Sequence, residues 1–151
     1  MIGPSSIPLK HKGYIQDQLL NLSKQHKVKI ILAIESGSRA WGFPSQNSDF
    51  DVRFIYHQSH DEYLSIQQKP DVIEVPIKED ISLGVPFDLN GWDLRKAMQL
   101  ALKSNAVVLE WLLSPIKYTV CEKIVSDILG FAKCCACLAS LEYHYDRIAR
   151  H

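Results

Sequence analysis

Residues 28–56 read VKIILAIESGSRAWGFPSQNSDFDVRFIY, and two segments of that stretch decide the fold. Val28 to Ile34 (VKIILAI) is an apolar run rich in β-branched residues and reads as a buried strand. It stops at Glu35-Ser36-Gly37-Ser38, where glycine and serine permit a tight turn. Asp49 to Tyr56 (DFDVRFIY) alternates instead. Phe50, Val52, Phe54 and Tyr56 share one face, while Asp49, Asp51 and Arg53 share the other.

The flanking sequence extends this pair of strands into a mixed α/β (α+β) domain. Ile15, Leu19 and Leu22 recur at helical spacing, which predicts an amphipathic helix over Tyr14–Lys27, preceded by an arm in the first dozen residues. A short helical turn through Arg39, Ala40 and Trp41 is expected after Ser38, then a polar loop over Ser45–Ser48. Asp71 to Ile77 (DVIEVPI) is a weaker strand, and Pro76 favours a sheet edge. Val85 to Leu89 is a further strand candidate. Asp93 is placed to cap a helix starting at Leu94, and Asn105 to cap another over Val107–Leu113, halted before Pro115. Cys121 to Arg150 is largely helix-compatible. The order predicts a mixed sheet with helices on one side. It divides into a core over residues 1–115 and the start of a helical C-terminal region over residues 116–151.

The chemistry lies in Gly37-Ser38, then ten residues, then Asp49-Phe50-Asp51. Strand residues two apart point the same way, so Asp49 and Asp51 bring two carboxylates together. Two like charges that close are unfavourable unless a cation joins them. Oxygen-only ligands of this kind suit magnesium or manganese. Gly37 lets the backbone approach a ligand closely, and a helical turn beginning at Ser38 would aim free N–H groups at a phosphate.

These residues resemble the polymerase-beta-like nucleotidyltransferase superfamily. The longer string Glu35-Ser-Gly-Ser-Arg-Ala-Trp-Gly-Phe, with Ser48-Asp-Phe-Asp-Val-Arg and Gly91-Trp-Asp-Leu-Arg-Lys, is similar to one branch of it, predicted nucleotidyltransferases labelled as an RNA-repair-pathway DNA polymerase beta family. Ser104-Asn105 and Glu110-Trp-Leu-Leu-Ser-Pro match that branch as well, so the likeness spans about Val28 to Pro115. Branch members run on through a longer helical region, which makes this chain a candidate shortened form. The resemblance implies attack of an acceptor hydroxyl on the α-phosphate of a nucleoside triphosphate, with pyrophosphate released. It implies Mg2+ or Mn2+ held by Asp49, Asp51 and a third carboxylate. That third group is assigned to Asp88, on the Val85–Leu89 strand, with Asp93 as rival. Gly37, Ser38 and Arg39 would bind the nucleotide. The acceptor stays open, with RNA one candidate.

Blander readings stand beside these. Arg39 is either a phosphate contact or a surface ion pair. Glu35 either orients the turn or is exposed. Trp41 and Trp92 are either core or substrate platforms. Lys96 and Lys103 are commonly solvated on a helix. His57, His60 and Asp61 read as a polar loop after a strand. Cys134-x-x-Cys137, with His144 nearby, is a single pair and does not make a zinc site. Cysteines among alanines and leucines are usually small buried apolar groups.

The formal net charge is zero over 151 residues, so no strongly basic field argues for nucleic acid by bulk electrostatics. The N-terminus has no signal-like apolar run and no stretch suits a membrane span, so a cytoplasmic protein with reduced thiols and no membrane partner is expected. The competing function is a nucleotidyltransferase fold retained as an inactive binding module, an antitoxin-type partner. Intact Asp49 and Asp51 count against it.

Overall fold

The computed structural model describes residues 7–42, 48–80 and 84–149. In chain order they form α1 (Leu9–His26), β1 (Lys29–Glu35), β2 (Phe50–His57), α2 (His60–Leu64), β3 (Val72–Asp80) and β4 (Val85–Asp93). Then come α3 (Leu94–Leu102), α4 (Ala106–Leu113), β5 (Lys117–Val120), α5 (Glu122–Cys135) and α6 (Leu138–Ala149). The strands make one mixed sheet in the order β3-β4-β2-β1-β5. β2 and β4 run parallel, and the other neighbours are antiparallel.

The alternation in β2 sorts the core into two layers. Phe50, Val52, Phe54 and Tyr56 are buried with Phe87 and Leu89 of β4 beneath Ile15, Leu19 and Leu22 of α1. Each fully buried side chain of this size contributes roughly 1.5–3 kcal/mol of transfer free energy. On the opposite face, Ile31, Leu32, Ile34 and Ile55 pack against Ala97, Val108, Trp111, Val125 and Ile128 of α3, α4 and α5. The sheet is thus covered on both faces rather than on one side as expected. The apolar run in β1 requires this, because its successive residues point to opposite faces and both must leave water.

Local chemistry accounts for the boundaries. Asp93 accepts the Arg95 N–H at 2.8 Å and caps α3, and Asn105 accepts the Val107 N–H at 3.0 Å and caps α4. β3 is an edge strand, and its register on β4 shifts between Val75 and Lys78, the span that holds Pro76. A residue without an N–H is tolerated there. At Gly91 a Cβ would lie 2.1 Å from the Phe54 ring, so only glycine admits that aromatic beside β4.

Several expectations are corrected. α1 starts at Leu9, inside the expected arm, with Pro8 before its first turn, where a missing N–H costs nothing. His60 and Asp61 open the short helix α2, capped by Ser59, rather than continuing a loop. The stretch from Cys121, expected to be largely helical, is helical over α5 and α6, which are bent by 94° at their junction. Ser104 braces that junction, accepting the Cys137 N–H at 3.0 Å and donating to the Cys135 carbonyl at 2.9 Å. β5 lies beyond Pro115 and pairs with β1, so the sheet itself draws on the C-terminal stretch. Residues 1–6 of the expected arm, Ser45–Asn47 of the expected loop and the expected helix end at Arg150 lie outside the described residues. Among the described residues no single helix is long and apolar enough to cross a membrane.

Candidate active site

Parallel pairing of β2 with β4 sets Asp51 directly opposite Asp88. Partners in a sheet share a face, so both carboxylates stand on the side that carries Ile55 and Trp92 further along. Arg53 is two residues on from Asp51 and joins them. Its guanidinium donates to Asp88 Oδ2 at 2.8 Å and lies 3.6 Å from Asp51 Oδ1. All three side chains are partly exposed, so the pair opens to solvent. Sequence alternation places Arg53 on the carboxylate face, yet only the structure shows that it spans both acids.

Gly37 closes the other side of Asp51. A Cβ at Gly37 would sit 2.0 Å from Asp51 Oδ2. The glycine is therefore required for the carboxylate to reach its place, which is the close approach that the turn makes available. The Ser36 N–H donates to the Asp51 carbonyl at 2.9 Å, tying the turn to the strand. Ser38 is exposed. No helix begins at Ser38. The segment continues as turns, with Ala40 N–H bonded to the Gly37 carbonyl at 2.9 Å and Gly42 N–H to the Arg39 carbonyl at 3.4 Å. Phosphate contacts here would come from turn amides and the Ser38 hydroxyl, not from a helix terminus.

Asp49 is exposed just before β2. Arg39 holds that approach. It donates to the Ser48 carbonyl at 2.6 Å and the Asp49 carbonyl at 3.4 Å, and its guanidinium lies 4.3 Å from the Phe50 ring centroid. It ties down the backbone that leads into Asp49 and Asp51.

Glu35 is fully buried behind this arrangement. Its Oε1 accepts the Asp51 N–H at 2.9 Å, its Oε2 accepts the Tyr118 hydroxyl at 2.6 Å, and its carbonyl accepts the Ser114 hydroxyl at 2.8 Å. Burial pushes its carboxyl above the ordinary value, against the two hydrogen bonds that lower it. Burial also raises the Tyr118 hydroxyl, helped by the Glu35 charge. Glu35 thus ties the turn and β2 together, through β5 and the end of α4. Tyr118, 83 residues away, carries no sequence signal for this, and Ser114, 79 residues away, is marked only by the Glu110–Pro115 string, which does not name its partner.

The remaining candidates fall elsewhere. Asp93 is buried, and besides its cap it accepts the Tyr63 hydroxyl at 3.1 Å, at the far end of β4 from Asp88. Lys96 pairs with Asp71 at 3.2 Å. Trp92 stacks on Trp111 with ring centroids 3.8 Å apart and belongs to the core, whereas Trp41 is 59% exposed.

Among the described residues, no three acidic, histidine or cysteine side chains converge into a ready-made metal cage. Two carboxylates do meet, and their chemistry suits magnesium, which keeps several waters and commonly takes one or two carboxylates together with substrate phosphates. Arg53 already stands as a cation between them, which shows that this spot accepts positive charge.

The family described as "RNA repair pathway DNA polymerase beta family" matches residues 12–151. A curated relative, the uncharacterized protein YcgL of Bacillus subtilis (strain 168), is 51% identical over 107 residues. That stretch covers 71% of this chain and spans 39% of the relative's length. With the family match running from α1 through α6, the chain belongs to the RNA repair pathway DNA polymerase beta family.

Proposed function

We propose that this chain transfers a nucleoside monophosphate from a nucleoside triphosphate to an acceptor hydroxyl and releases pyrophosphate. The observation that carries the reading is the in-register meeting of Asp51 and Asp88 beside Gly37. Asp49, Asp51 and Asp88 are the residues that would hold Mg2+ or Mn2+. When bound, the cation supplies charge neutralisation at the attacking and leaving oxygens. Asp88 accepts the proton of the acceptor hydroxyl. Gly37, Ser38 and Arg39 are the residues that would bind the nucleotide, Arg39 from the approach to β2 that it also holds in place. ATP is the triphosphate with which to begin. RNA is the acceptor that the family's description favours, and the cytoplasm its proposed location.

The Arg53 bridge favours a second reading, in which the carboxylates are already satisfied and the fold serves as a binding module. One experiment separates the two. Each of the four nucleoside triphosphates, labelled at the α-phosphate, is incubated with the protein, magnesium and short RNAs. The enzyme reading expects label transferred to the acceptor and free pyrophosphate, both lost in Asp51→Asn. RNA retained by the protein with no label transferred from any triphosphate supports the binding module.

A further inference from the structure

The turn that follows β1 does more than approach Asp51. Ala40 is buried and Gly42, with φ 81°, is buried too, so the chain is anchored on both sides of Trp41. The indole between them is nevertheless 59% exposed. An indole is a large apolar surface that folding normally removes from water. The other two tryptophans follow that rule, stacked on each other at 3.8 Å. Trp41 is thus carried on an anchored backbone with its indole in solvent.

Trp41 also edges a recess shared with Glu35 and Ser36 at the end of β1 and with Glu110, Trp111 and Pro115 from α4 and its exit. Its volume is about 20 Å³, too small to admit a ring. A planar ligand would lie on the indole rather than enter the recess. The Glu110 carboxylate stands at that rim as an acceptor, taking the Tyr145 hydroxyl at 3.2 Å. The same turn carries Gly37, pressed against Asp51, four residues before Trp41.

We propose that Trp41 is the stacking platform for the nucleobase of the triphosphate whose phosphates lie at Gly37 and Ser38. This rests on the reading of that turn as the phosphate site. An aromatic ring suits any base, because every base offers a π-face, so Trp41 gives affinity for the nucleoside part with little choice among bases. The phosphates and the base then bind to two ends of one short, anchored turn.

The test compares a ligand with a base to one without. Calorimetry measures magnesium ATP and magnesium tripolyphosphate binding to wild type, Trp41→Ala and Trp41→Phe. Trp41→Ala should weaken ATP about ten-fold or more and leave tripolyphosphate unchanged, and Trp41→Phe should recover most of the loss. Equal weakening of both ligands overturns the proposal, since it shows only a damaged turn. ATP binding unchanged in Trp41→Ala overturns it while leaving the phosphate site standing. Failure of wild type to bind either ligand removes the phosphate site and this platform with it.

Discussion

Glu35 ends β1, fully buried, with its carboxylate accepting from the Asp51 amide and the Tyr118 hydroxyl. A glutamate at a strand end reads as exposed or as orienting a turn, and nothing local decides between these. Burial against Tyr118 and the Asp51 amide decides it, through a partner 83 residues away. The same burial raises its carboxyl above 4.5. The folded chain therefore favours the protonated form more than the unfolded chain does. Its stabilising contribution is complete below the unfolded value and is lost as pH rises through the raised folded value. Each unit of that upward shift amounts to about 1.4 kcal/mol. Glu35→Gln keeps an acceptor for Asp51 and removes the charge. Urea midpoints from about pH 4 to about pH 8 should show wild type losing stability relative to Glu35→Gln across that window. A difference between the two proteins that does not vary with pH contradicts this reading of Glu35.

At the scale of elements, β4 carries two acids with separate work. Asp88 faces Asp51 near the start of the strand, and Asp93 caps α3 at its end. Asp93→Ala should cost roughly 0.5–2 kcal/mol through the lost cap, with nucleotide affinity unchanged. Asp88→Asn should keep stability near wild type and weaken magnesium-dependent nucleotide binding. Denaturation midpoints and calorimetry on both variants check this, and the opposite pairing of effects would reverse the two roles. That division was legible in the sequence, because Phe87-Asp88-Leu89 alternates while Asp93 precedes a helix-forming run. β2 was legible for the same reason, its two faces differing in polarity. β5 was not. Its four residues, Lys117-Tyr-Thr-Val120, are too few to show a period, and only pairing with β1 makes them a strand. The first turn of α1 was hidden as well, since Leu9-Lys-His-Lys offers no apolar repeat. The apolar second face of β1 and Ile55 of β2 together called for helices on both sides, a requirement visible only once the sheet order is known.

For the whole molecule, the sheet order explains why the site is where it is. β2 is central, with β4 and β1 on either side. The start of β2 therefore receives Asp88 from one neighbour and the Glu35–Gly37 turn from the other. The motif residues were readable from spacing, since Gly37 lies in the turn after β1 while Asp49 and Asp51 flank the first residue of β2. The Arg53 bridge was not, because alternation gives a face but no distance. That bridge competes with the central claim, that Asp51 and Asp88 together take a divalent cation with a nucleoside triphosphate. Isothermal calorimetry of ATP with and without magnesium, on wild type and on Asp51→Asn, tests it most directly. The account predicts ATP binding by wild type that requires magnesium and is lost in Asp51→Asn. Equal ATP binding in the presence of a chelator, or unchanged magnesium-dependent binding in Asp51→Asn, would contradict it.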